Sequence, residues 1–138
     1  GQQVGALPDG RRAGEALAPH LGPVPGRDTR GPTAVINSVA KCDLRQALGG
    51  VVLNLKFLPT QLEGEDGEKF VQFLRTALAR GIAQMQITLV DSETLREAKR
   101  DPEKHRDLVV RVGGYSAYFT TLDENIQDEI IARTEQCI

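Results

Sequence analysis

The sequence predicts an α/β fold, and three observations carry that prediction. Apolar residues alternate in VVLNLKFL (51–58), which places Val51, Leu53, Leu55 and Phe57 on one face of a strand. The next segment, EDGEKFVQFLRTALARG (65–81), spaces Phe70, Phe73, Leu74, Ala77 and Leu78 at the i, i+3, i+4, i+7, i+8 intervals of an amphipathic helix. A second apolar run, QMQITLV (84–90), completes a strand–helix–strand unit whose connection suits a right-handed crossover between parallel strands.

The elements follow in order. The first 32 residues hold seven glycines and five prolines, a density of breakers that yields turns and extended segments. So long an irregular opening is unusual for a self-sufficient domain, which leaves it disordered or packed on surface from elsewhere. We therefore expect a Pro/Gly-rich loop segment over 1–32 that packs on surface from outside this chain, and a folded domain over 33–138. TAVINSVAKC, with a cap at Thr33 and apolar Val35 and Val39, predicts a short helix. In the second helix Glu65 and Asp66 favour the positive start, and Gly81 stands where a C-cap glycine belongs. DSETLREAKR (91–100) predicts a third helix, capped by Asp91 or Ser92 and stopped before Pro102. LVVRV (108–112) reads as a third strand. TLDENIQDEIIART (121–134) reads as a last helix with Leu122, Ile126 and Ile130 on one face. Three strands make a thin sheet, which again points to a missing partner.

A chain of 138 residues can form one domain with a core, burying roughly two-thirds of its unfolded surface. The net charge of −2 argues against a general nucleic-acid binder, because phosphate binding needs a basic face. No stretch approaches the ~20 apolar residues of a membrane span, and no basic-then-apolar leader is seen, so a cytoplasmic location is expected. Cys42 and Cys137 are expected to be free thiols. Without a CxxC, HExxH or Cys/His cluster, and with His20 and His105 far apart in sequence, no intrinsic metal site is expected. The chain begins at Gly1 and its only methionine is Met85, so its start is expected to be processed, trimmed or engineered, with the chain as part of something larger.

One stretch stands apart. LVVRVGGYSAYF (108–119) breaks at Gly113-Gly114 and then gathers Tyr115, Tyr118 and Phe119, three of the six aromatic residues in the chain. Taken alone, the glycine pair marks a turn, a bulge or a close backbone approach, and the tyrosines are ordinary core rings. In its longer context, VVRVGGYSAYFTTLDENIQDEIIART resembles the C-terminal signature of the glycyl radical enzymes. Their radical loop reads Arg-Val-x-Gly-Tyr and leads into a Gln-Asp-rich final helix. Here the loop is Arg111-Val112-Gly113-Gly114-Tyr115, and the helix carries Gln127-Asp128 and Arg133-Thr134. PDGRRAGEALA (8–18), PGRDTRGPTAVINSVAKCD (25–43), VVLNLKF (51–57) and DPEKHRDLVVRV (101–112) extend the resemblance along the chain. Within the pyruvate formate-lyase superfamily it is closest in look to the glycerol- and diol-dehydratase-like members.

That resemblance implies the C-terminal portion of a glycyl radical α/β barrel, with the radical loop at 111–119. It places the radical on Gly114, with Arg111, Val112, Gly113, Tyr115, Tyr118 and Phe119 supporting the loop. Gly113 takes a position that other members often fill with Ser or Ala. A backbone α-carbon radical is delocalised between a donating nitrogen and an accepting carbonyl, so its centre is planar. Any β-carbon would press against that plane, which leaves glycine. The aromatics are expected to wall a dry pocket around this carbon, with ordinary packing as the alternative.

The resemblance further implies that no cofactor is bound. A separate activase, using S-adenosylmethionine and an iron–sulfur cluster, installs the radical after the loop leaves the barrel. Family members pass the radical to a barrel cysteine beside an acid/base glutamate. Cys42, in AKCDL, and Cys137 match neither context, so a larger partner chain is expected to supply both. This chain alone should not turn over substrate. The implied reaction is radical dehydration of a small diol-like molecule. Two further accounts stay open: a spare part that restores an oxygen-cleaved enzyme, and a non-catalytic interaction module. Elsewhere, Asn54 and Lys56 lie opposite the apolar strand face, facing either a barrel interior or solvent. Arg11-Arg12 and Arg27-Asp28 read as solvated loop charges, with contact to substrate or partner as the alternative, and the charges from Arg96 to Asp107 read as a solvated helix face.

Overall fold

Glycines and prolines keep residues 1–31 free of helix and strand in the computed structural model, which describes residues 1–47 and 49–138. The first helix, α1 (Pro32–Val39), starts one residue before the expected Thr33 cap. Proline at its first turn supplies a preset φ and needs no hydrogen-bond partner there, so Gly31 precedes the helix without a side-chain cap.

The strand–helix–strand unit forms as β1 (Leu53–Phe57), α2 (Gly64–Ala79) and β2 (Met85–Leu89). β1 and β2 are parallel, with Leu53 opposite Met85 and Phe57 opposite Leu89. Leu53, Leu55 and Phe57 point into a first core with Val35, Ile36 and Val39 of α1 and Phe73 and Ala77 of α2. The Phe57 ring meets Phe70 and Phe73 edge-on, with centroids 5.1 and 5.7 Å away. At the end of α2, Gly81 has φ +86° and donates to the Leu78 carbonyl, while Ile82 donates to that of Ala77. These two bonds close the helix with a Schellman cap. The apolar stripe is narrower than its spacing suggests. Leu78, one step around the helix from buried Ala77, is exposed.

The third strand of the sheet is not LVVRV. The sheet order is β2-β1-β5, where β5 (Glu135–Gln136) lies parallel to β1 with Lys56 beside Glu135. LVVRV supplies β3 (Val109–Arg111), which pairs antiparallel with β4 (Ser116–Tyr118) as a separate hairpin. The glycine pair lets the chain reverse on the spot, so β3 finds a local partner before the sheet. Three-residue β4 and two-residue β5 are too short to show a period.

α3 (Ser92–Arg100) is capped by Asp91, whose carboxylate accepts from the Thr94 amide at 2.7 Å. The last helix, α4 (Glu124–Ala132), is shorter than the expected 121–134. Residues 119–121 form a 3₁₀ turn, and Arg133, at φ −60° and ψ 131°, leaves the helix to feed β5. A second core joins Val90, Leu95 and Ala98 to Val110 of the hairpin, Phe119 and Ile130.

Lys56 links the two halves. It is 1% exposed, which corrects the solvent-facing option, and its Nζ donates to Ser92 Oγ at 2.8 Å and to the Ile131 carbonyl at 3.1 Å. Burial pushes its ammonium below the ordinary lysine value, and Glu135 opposes that shift. No helix among the described residues is long and apolar enough to cross a membrane. Truncating fully buried Phe119 to alanine is expected to cost about 3–5 kcal/mol and to speed amide exchange across α3 and α4 by about a hundredfold or more. Unchanged protection there, measured by hydrogen–deuterium exchange, would show that this cluster does not hold the unit together.

Candidate functional site

The β3–β4 hairpin presents the glycine pair at its tip, where the Val112 amide donates to the Tyr115 carbonyl at 3.1 Å. The two glycines meet different requirements. A β-carbon on Gly113 would lie 3.6 Å from His20 Nε2, an ordinary contact. One on Gly114 would meet nothing within 4 Å, yet Gly114 has φ +83°, in the left-handed region that side chains disfavour. Backbone conformation, not space, asks for glycine at 114.

Both peptide groups of Gly114 are held. Its N–H donates to Gln86 Oε1 of β2 at 3.2 Å, and its carbonyl accepts from Arg111 Nη2 at 3.3 Å. Arg111 also reaches Ser116 Oγ at 3.1 Å, bracing the hairpin across the turn. From the end of α4, Arg133 donates to the Arg111 carbonyl at 2.8 Å and to the Val112 carbonyl at 2.6 Å. Its planar fork suits two neighbouring acceptors.

The residues expected to support the loop divide into two groups. Arg111, Val112 and Gly113 are half-buried, and Val112 packs against the second core. Phe119 is fully buried in that core. Tyr115 and Tyr118 are 52% and 53% exposed, so within this chain they wall no pocket, contrary to the expectation. Val109 and Tyr118 are register partners and share the hairpin's outer face, whereas Phe119 turns inward at the 3₁₀ turn.

Two charged groups read as solvated have structural partners. Asp28 accepts from Thr134 Oγ1 at 2.5 Å and from Gln136 Nε2 at 2.6 Å, tying the opening segment to the tail. Arg11 donates to the carbonyls of Gly1, Gly5 and Glu15, folding residues 1–15 on themselves. A cavity of about 610 Å³ lies between the opening segment and β1, lined in part by Pro23, Pro25, Asp28, Asn54, Arg133 and Gln136. Asn54 Oδ1 and Nδ2 are buried there without a partner among the described residues. Cys42 and Cys137 are exposed free thiols. Among the described residues no group of three or more His, Cys, Asp or Glu is placed to hold a metal ion.

Motif reading missed Gln86, the clamp role of Arg133 and the partners of Asp28. For Gln86 a signal was present: Gln84, Gln86 and Thr88 alternate with Met85, Ile87 and Leu89, which gives β2 a polar face.

A family model described as glycine radical matches residues 17–120. The chain belongs to the glycine radical family. Its α/β fold, expected as part of a glycyl radical barrel, agrees with its structural neighbours. The solved glycerol-bound form of the B12-independent glycerol dehydratase from Clostridium butyricum matches 100% of this chain, with a TM-score of 0.92 and 42% identity, over 18% of that chain. Curated members include the probable dehydratase YbiW of Escherichia coli (strain K12), 49% identical over 100% of this chain and 17% of that protein. Indoleacetate decarboxylase of Tractidigestivibacter scatoligenes is 47% identical over 98% of this chain and 16% of that protein. The chain therefore spans about a sixth of the length of the relatives it matches.

Replacing Arg133 by Met removes both clamp bonds, each a charge-assisted bond, and is expected to speed exchange of the 113–116 amides by about 10- to 100-fold, with α1–β2 unchanged. Equal protection in both proteins would show that the clamp does not order the turn. Acid should act at the start of α3. Hydrogen bonds from Thr94 hold the Asp91 carboxyl below its ordinary 3.8, and bonding to Ser92, aided by Lys56, holds Glu135 below its ordinary 4.5. Lowered folded values mean that both groups stabilise fully above those ordinary values and lose that contribution as pH falls below them. The protection lost in Asp91→Ala at pH 7 should therefore shrink as pH falls below 3.8. A pH-independent difference would exclude the carboxylate as the cap.

Proposed function

We propose that this chain stores a glycyl radical on Gly114 for a longer glycyl radical enzyme. The observation that carries the reading is one residue with three properties. Gly114 occupies the Arg-Val-x-Gly-Tyr position, lies inside the matched segment, and has both of its own peptide groups hydrogen-bonded by separate side chains. A radical on its α-carbon needs a flat centre with no β-carbon, which only glycine supplies.

Activation removes one hydrogen atom from the Gly114 α-carbon. It passes to an organic radical that a separate activase generates from S-adenosylmethionine with an iron–sulfur cluster. The hairpin moves out for this step and returns afterwards. In the returned state a cysteine of the surrounding barrel gives a hydrogen atom to the Gly114 carbon and becomes a thiyl. The thiyl takes a hydrogen atom from one carbon of a small diol, water leaves across the adjacent carbon, and the hydrogen returns to the product radical. The net change is diol to aldehyde plus water, and the glycyl radical is regenerated. The dehydratase names among the relatives support this reaction class for the whole enzyme. Arg111, Val112, Gly113 and Phe119 hold the loop, Tyr115 and Tyr118 meet the surrounding barrel, and the enzyme works in the cytoplasm.

Electron paramagnetic resonance tests the assignment. The full-length protein carrying this chain, treated anaerobically with activase, S-adenosylmethionine and reductant, should give a doublet, because one α-hydrogen remains on the radical carbon. Deuterated glycine should collapse the splitting, Gly114→Ala should abolish the signal, and air should cleave the backbone at Gly114. A persistent doublet in Gly114→Ala would move the radical to another residue.

A further inference from the structure

We propose that Gln86 is a positioning residue for the radical, working with Arg111 to polarise the Gly114 peptide in the direction that stabilises it. This rests on the assignment of the radical to Gly114. A radical on that α-carbon is stabilised by electron donation from its own nitrogen and electron withdrawal by its own carbonyl. Those are the two groups that Gln86 and Arg111 touch. The Gly114 N–H points at Gln86 Oε1 at 3.2 Å, and an acceptor there leaves the nitrogen richer in electrons. The Arg111 guanidinium bonds the Gly114 oxygen at 3.3 Å, and a cation there makes the carbonyl a better acceptor. The two side chains therefore act in the same sense, from opposite ends of one residue.

The two partners differ in where they are anchored. Arg111 belongs to the hairpin and travels with the glycine. Gln86 is the second residue of β2, paired in register with Asn54 of β1, so it belongs to the sheet half of the fold and not to the hairpin half. Its bond to Gly114 joins the sheet to the turn. When the hairpin moves out for activation, that bond breaks and the Arg111 bond persists. Gln86 thus stabilises the radical only in the docked hairpin, and it favours the docked state once the radical is present.

The test uses the full-length protein with its activase and compares the parent with Gln86→Leu, which removes the acceptor, and Gln86→Glu, which restores one. Two readings are taken: exchange of the Gly114 amide before activation, and the splitting and anaerobic half-life of the doublet after the activase is removed. Gln86→Leu should speed exchange at Gly114 and shorten the radical half-life by about 3- to 10-fold, the scale of one hydrogen bond, and should shift the doublet splitting. Gln86→Glu should return the half-life to within about twofold of the parent, which a purely structural defect would not do. A parent doublet whose splitting and half-life are unchanged in Gln86→Leu overturns the role of Gln86 and leaves the radical at Gly114. Loss of the signal in both variants, with Gly114 exchange unchanged in each, also overturns it. No doublet in the parent overturns both readings together.

Discussion

Two hydrogen bonds from one side chain set the shape of the glycine turn. Arg133 stands at the point where α4 ends, and its guanidinium donates to the carbonyls of Arg111 and Val112. Those carbonyls belong to the two residues that enter the turn, so the direction in which the chain reaches Gly113 and Gly114 is decided from α4. The same residue starts the extended segment that becomes β5. The path of the tail, the end of the helix and the geometry of the turn are therefore coupled. Arg133 Nε is buried and has no partner of its own among the described residues, an expense accepted for the two carbonyl bonds.

Around that clamp the molecule is organised as two cores joined by polar side chains. The first core holds the sheet against α1 and α2, and the second holds the hairpin against α3 and α4. Between them lies Lys56, a buried cation bonded to Ser92 and to the carbonyl of Ile131. Glu135 lies beside it in the neighbouring strand and bonds the Ser92 amide. A polar seam of this kind gains little net stability, because desolvating the charges offsets much of their attraction. It is directional, however, and it fixes one register between the halves where an apolar seam would tolerate sliding.

The exposed aromatics have a matching explanation. Tyr115 in the turn and Tyr118 on the hairpin's outer face are both exposed, as is Val109 beside Tyr118. The chain spans about a sixth of the length of its relatives, and exposed apolar groups gathered together form a surface that a neighbour can cover. Phe119, one residue on, is buried because the core it needs is local.

Much of this was legible in the sequence, for a physical reason. The alternation in VVLNLKFL, the stripe from Phe70 to Ala77, the Asp91 cap and the Gly81 stop are contacts between residues near one another in the chain. Short-range periodicity and capping chemistry encode them. The Arg-Val-Gly-Gly-Tyr turn was legible too, because a left-handed φ at Gly114 is a property of one residue. Only the tertiary structure decided what depends on distant pairs. It put β5 in the place assigned to β3, buried Lys56 under α4, joined Asp28 to Thr134 and Gln136, and brought Gln86 to the amide of Gly114. These partners are separated by 28 to 108 residues where they meet through side chains, and no local pattern records such a distance. Residue type alone determined that a glycine would stand at the turn; the packing of two cores decided which side chains would hold it.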